Sequence, residues 1–219
     1  GILNYIDTSA EQATDRLVRI LLANALKKQS LFDGISNSGG VGEKALVSAL
    51  KAGNIDPSLI NSDLASYVDA SSSESGLKKG ARVLLAIDLL KTNLGNNLDA
   101  DQKKVLTQGM IDASPNYTTN ITPDLAATVD TTTLGETGTQ RLARVLLASV
   151  IAKYSLGQNL SSGTVKDLVD GLYAQGLTAE QVYNVKEQIV MTDPKSAPDR
   201  VNEIWALWGT WYSLHSPAS

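Results

Sequence analysis

The sequence predicts an all-α protein: three tandem three-helix repeats of about 62 residues and a C-terminal aromatic capping helix, forming a solenoid-like stack or a compact helical bundle. Three observations carry this expectation. The phrase RILLA at Arg19 returns as RVLLA at Arg82 and again at Arg144, 63 and 62 residues apart. Apolar residues recur three and four apart through each copy, and no alternating strand pattern persists. Finally, APDRVNEIWAL from Ala197 matches ATDRLVRILLA from Ala13, so a fourth copy begins and supplies one helix.

The alignment continues past the shared phrase. Lysine stands nine residues after each arginine (Lys28, Lys91, Lys153) and leucine twelve after (Leu31, Leu94, Leu156), followed by Ile35, Leu98 and Leu160. The first copy carries an insertion around residues 37–42. Register then resumes at Lys44, Lys104 and Lys166, with Leu46, Leu106 and Leu168 two residues on. Units of about 5–66, 67–127 and 128–191 and a cap of 197–215 follow, read as a single helical-repeat domain.

Each element has a local reason. The first helix of each unit (about 13–28, 77–93 and 139–154) is apolar on nearly every side at its middle, the pattern of a helix surrounded by neighbours. The second (about 43–52, 100–113 and 163–174) is amphipathic, and Asp99 with Gln102 offers a capping-box start. The third begins at Asp56-Pro57, at Thr122-Pro123 and at Thr178, where an N-cap residue precedes proline at the first helical position or a Thr-x-x-Gln box. Ser, Thr and Gly fill DASSSESG and DTTTLGETG, which are expected to be exposed loops.

The capping helix holds all three tryptophans, Trp205, Trp208 and Trp211, with Tyr212 beside them. Such a face either packs on the third unit as a bulky cap or docks a partner. A membrane-surface role is disfavoured, because the polar side of an interfacial helix normally carries Lys and Arg, whereas this helix offers only Arg200 and His215 near its ends. The recurring aspartates Asp7, Asp69 and Asp130 stand 12 to 14 residues before Arg19, Arg82 and Arg144. Charge-assisted bonds between them would make a structural joint between repeats, a simpler account than a ligand site copied three times.

Composition narrows the function. The chain has 219 residues, 42% of them apolar and 19% charged, with net charge −4 and no run of like charge, which argues against nucleic acid. With no cysteine, disulfides, thiolate metal sites and cysteine nucleophiles are excluded. No stretch is long and apolar enough to span a membrane. The chain opens at Gly1 without a basic or apolar leader, as a mature soluble protein would after processing or at a cloning boundary.

Catalytic constellations are thin. A triad would have to use His215, the one histidine, near a terminus where side chains fray. SNSGGVGEK lacks P-loop spacing, and no calcium-loop or zinc-protease pattern occurs. Sequons at Asn116, Asn120 and Asn159 fall near loops. The expectation is therefore no catalytic, cofactor or metal site, and a structural or assembly protein acting through protein partners or self-assembly. A cysteine-free, Ser/Thr/Asn-rich composition favours an extracellular or virion-associated setting. The rival is a helical module holding an apolar ligand or pigment, with the tryptophan face as part of its pocket.

Overall fold

A computed structural model describes residues 1–7, 12–36, 41–71 and 73–217. The protein is mostly helical. Two compact units emerge, residues 1–91 with 99–108, and residues 92–98 with 109–219.

In the first unit a 3-10 turn (Ile2–Tyr5) precedes α1 (Ala13–Lys28) and α2 (Val41–Ala52). A second 3-10 turn (Pro57–Leu59), capped by Asp56, leads into α3 (Ser62–Ala65), and α4 (Gly76–Lys91) follows. The core gathers Leu22, Ala23, Leu26, Leu46, Leu50, Leu64, Val83 and Ile87, all fully buried or nearly so. Small residues let α2 and α4 approach closely. A Cβ on Gly76 would stand 1.7 Å from the Gly42 carbonyl oxygen, and one on Gly80 3.0 Å from the Ala49 Cβ. Between α4 and α2 only glycine fits at position 76.

Helix α5 (Ala100–Asp112) contributes to the first unit through Gln108 and to the second from Gly109. Its N-terminus is held as the sequence expects, with the Gln102 backbone N–H donating to Asp99 Oδ1 at 2.9 Å. The second unit continues with α6 (Pro123–Ala126), α7 (Gly138–Lys153), strand β1 (Leu160–Ser162), α8 (Val165–Ala174) and α9 (Ala179–Val185). A 3-10 turn (Lys186–Gln188), strand β2 (Lys195–Ser196) and α10 (Ala197–His215) complete it. Complete capping boxes start three of these helices, Thr137 with Gln140, Thr164 with Asp167 and Thr178 with Gln181.

The sequence copies share backbone geometry. Helices α1, α4 and α7 each have 16 residues. Beyond their ends the chain turns twice through the left-handed region at matching places, first at Ser30, Asn93 and Ser155, then at Gly34, Asn97 and Asn159. Ser and Asn tolerate positive φ better than bulky or β-branched residues do.

Strand pairing is a feature the helical reading did not foresee. β1 and β2 run parallel, with Leu160 opposite Lys195. In the first unit Ile35 bridges Glu74 the same way, and Ile35 and Leu160 are matched positions. The Glu74 N–H donates to Gly34 O at 2.9 Å and the Ser36 N–H to Glu74 O at 2.7 Å.

Candidate functional site

Two arrangements gather the chain's charged and aromatic residues: a buried arginine joint and the exposed end of α10. The joint starts from the repeated arginine. Arg82 donates through Nε and Nη2 to the Glu74 carboxylate at 3.0 Å, and Arg144 donates to Glu136 at 2.6 Å. Glu74 and Glu136 both stand eight residues before their arginine. Each repeated arginine also reaches the second helix of its own copy: Arg19 to Ser48 at 2.7 Å, Arg82 to Gln108 at 2.7 Å and Arg144 to Asp170 at 3.5 Å. These three partners are matched positions in the alignment.

Asp69 and Asp130 are therefore placed differently from the pairing the spacing suggests. The carboxylates that hold Arg82 and Arg144 are Glu74 and Glu136, because each glutamate precedes its helix directly and is fixed there by the extended backbone. Asp69 accepts from the Ser71 hydroxyl at 2.6 Å, and Asp130 from the Thr132 hydroxyl at 2.7 Å. Asp130 meets Arg144 through its backbone carbonyl, at 2.6 Å. Both carboxyls are held below the usual range. For Asp69 the Ser71 hydroxyl dominates, then the Ser71 N–H; for Asp130 the Thr132 N–H dominates, then its hydroxyl, bringing the group to about 2. Asp7 precedes residues 8–11, which lie outside the described set together with Glu11, the matched position to Glu74 and Glu136.

A second column of cations stands three residues before the first, and two of its members reach carbonyls of the preceding copy. Arg141 is fully buried and donates through Nη1 to Leu94 O at 2.6 Å and Asn96 O at 3.1 Å. Arg200, also fully buried, donates to Leu156 O at 2.8 Å and Gln158 O at 3.4 Å. Leu94 and Leu156 are matched positions, as are Asn96 and Gln158. The accepting carbonyls lie in the turn segments that follow α4 and α7, beyond the last helical residues Lys91 and Lys153. Lys79 holds the same place in the second copy, buried, 3.6 Å from Glu74 and donating to Asp69 O at 3.4 Å; burial pushes its pKa down against the opposing pull of Glu74. Arg16, the first copy's counterpart, is exposed.

The sequence reading assigned the inter-copy joint to Arg19, Arg82 and Arg144. Their bonds run largely within a copy, and the carbonyl contacts of Arg141 and Arg200 run between copies. Extending the alignment eight residues upstream shows the signal: Glu11, Glu74, Glu136 and Lys195 at one column, and Arg16, Lys79, Arg141 and Arg200 at another.

Helix α10 is packed for its first two turns and exposed thereafter. Ala197, Arg200, Val201 and Ile204 are buried, and Val201 closes on Gly171 of α8, where an added Cβ would lie 2.7 Å from a valine methyl. Beyond Ile204 the aromatic residues divide. Trp208 and Trp211 are half-buried and stack at 5.1 Å, and Trp211 stacks on His215 at 4.2 Å. Trp205 and Tyr212 are exposed, at 49% and 59%. His215 is exposed and bonds through Nδ1 to the Trp211 carbonyl at 2.8 Å.

Other surfaces are smaller in their chemistry. A groove of about 500 Å³ lies against α6 and α7, lined by Asn120, Leu125, Ile151, Gln158 and Val165 among others, and the tryptophans are not part of it. Helix α1 exposes Leu17, Val18 and Leu21. Among the described residues no cluster of three His, Asp or Glu side chains could hold a metal, and no helix is long and apolar enough to cross a membrane. No family model, curated protein or solved structure matches the chain.

Proposed function

We propose that the protein is a non-enzymatic structural or assembly protein: three tandem three-helix repeats, with buried guanidinium–carbonyl contacts from Arg141 to the second copy and from Arg200 to the third, that present α10 to protein partners. One observation carries this reading. The second half of α10 leaves large aromatic side chains in water with no charged residue among them, and exposed apolar surface of that kind marks a contact face. An extracellular or virion-associated particle is the setting its composition favours.

The test is incorporation. In the native source, the wild-type chain is expected to sediment with a large assembly, and Trp205→Ser with Tyr212→Ser to leave it while keeping the wild-type melting temperature. A wild-type chain that sediments free at all concentrations would overturn the reading.

A second reading, a carrier of an apolar ligand, is favoured by the groove against α6 and α7, whose volume suits a small molecule. It expects an extractable compound in native mass spectrometry, displaced by Ile151→Trp. A mass equal to that of the bare chain would set it aside.

A further inference from the structure

One alignment column sets the groove against α6 and α7 apart from its matched places. Two residues before Asp7, Asp69 and Asp130 the column reads Tyr5, Tyr67 and Thr128. Tyr5 lies on Phe32, with ring centroids 4.6 Å apart. Tyr67 is buried, 2% exposed, and the Lys103 ammonium stands 5.2 Å from its ring centre. Thr128 lines the groove, and so do Gly157 and Val165, the residues matched to Phe32 and Lys103.

The floor of the groove is kept while its walls are cut back. Leu125, Ala148 and Ile151 match Leu64, Ala86 and Leu89 one repeat earlier, and all six are buried. Around that floor Thr128 stands for Tyr67, Ala152 for Leu90 and Val165 for Lys103, so three large side chains have become small ones. Truncation over a kept floor opens space that side chains would otherwise fill. The space is about 500 Å³, within the range of small-molecule sites. Charge and polarity narrow the occupant. Asp124 is the one charged group among the described residues lining the groove, so an anion would find no counter-charge. Asp124, Gln158 and Asn120, which stands where one repeat earlier the chain has Leu59, are exposed and offer acceptors to a hydroxyl.

From this we infer that the groove binds an uncharged aromatic compound, whose ring takes the place that Tyr67 fills one repeat earlier. A flat ring covers the apolar floor of Ala148 and Ile151 as no residue of the third copy does, and a polar substituent reaches the rim. This rests on the second reading above, the groove as a ligand site, and names the class of ligand.

Isothermal titration calorimetry of the full chain with naphthol, octanol and naphthoate tests it, on the wild type, Thr128→Tyr and Ala152→Leu. Each substitution installs the residue found one repeat earlier and narrows the groove, and a melting temperature at or above that of the wild type verifies folding. Naphthol is expected to bind the wild type at one site with a Kd below about 1 mM, and octanol and naphthoate at least about tenfold more weakly. Thr128→Tyr should weaken naphthol at least about tenfold. If it melts below the wild type, Ala152→Leu carries the same expectation. Octanol bound as tightly as naphthol, with Ile151→Trp blocking both, keeps the groove as a ligand site and overturns the aromatic class. Naphthoate bound as tightly as naphthol overturns the uncharged class. Naphthol bound equally by the wild type and the folded variant places it elsewhere and overturns the inference. A chain that binds none of the three overturns it too, leaving the ligand-site reading to native mass spectrometry.

Discussion

Lys195 and Glu203 form the ion pair of Glu136 and Arg144 with the charges exchanged. Both pairs are eight residues apart and join the segment entering a first-helix to that helix. In α7 the glutamate also receives Arg141 Nε at 2.7 Å, whereas in α10 Arg200 Nε faces Glu203 at 3.2 Å. One carboxylate between two cations is kept, although it has moved from the segment before the helix to the helix.

That exchange makes a double-mutant test. Glu203→Arg alone sets three cations together in a largely buried place and is expected to cost about 2–4 kcal/mol. Adding Lys195→Glu rebuilds the arrangement of Glu136, Arg141 and Arg144 and should recover more than half of the loss. Urea unfolding of the four proteins reads the coupling. Additive single effects would show that the pair is not a unit.

The guanidinium–carbonyl joint predicts a gradient along one alignment column. Arg141→Ala leaves two inward-facing carbonyls and Glu136 short of a donor, at a cost of about 3–5 kcal/mol. Arg141→Lys keeps the charge but loses the planar fork and should fall between. The matched Arg16→Ala, at an exposed position, is expected to stay within about 0.5 kcal/mol. Chemical denaturation midpoints order the three.

Acid stability should carry the mark of Asp130. Its folded pKa of about 2 lies below the ordinary value of 3.8, so ionised Asp130 favours the folded state. The stabilisation is complete above pH 3.8 and lost as pH falls toward 2. Asp130→Asn should flatten that part of a melting-temperature profile. Thr132→Val, which removes the hydroxyl but keeps the N–H donor, should flatten it partially.

Close helix approach predicts a severe effect from a single methyl. Gly76→Ala would place its Cβ against the Gly42 backbone, which cannot rotate away as a side chain could. Overpacking of this kind costs about 1–3 kcal/mol. Gly135→Ala, with open space but a φ of +74°, should cost less, about 1 kcal/mol. Thermal melts of the two variants separate packing from backbone strain.

Most of the helices were legible in the chain because their causes are local. Three- and four-residue apolar spacing, Thr-x-x-Gln boxes and Asn or Ser at left-handed turns act over one or two helical turns, and α1, α4, α7 and α8 lie within two residues of expectation. The leucine pair of the shared phrase was legible only in part: Ala23, Ala86 and Ala148 are buried in every copy, whereas Leu21 is exposed and Leu84 and Leu146 are half-buried. The choice between Glu136 and Asp130 as the partner of Arg144 was not legible, since both precede the helix at plausible distance. It depends on the path of the backbone before α7, which brings Glu136 to Arg144 and leaves Asp130 bonded to Thr132. The division of the aromatic helix likewise rests on where α8 ends. Sequence by itself determined that the chain is mostly helical, because periodicity and capping are properties of neighbouring residues. Only the tertiary structure decided which cation meets which turn carbonyl, because that depends on residues some 45 positions apart meeting in space.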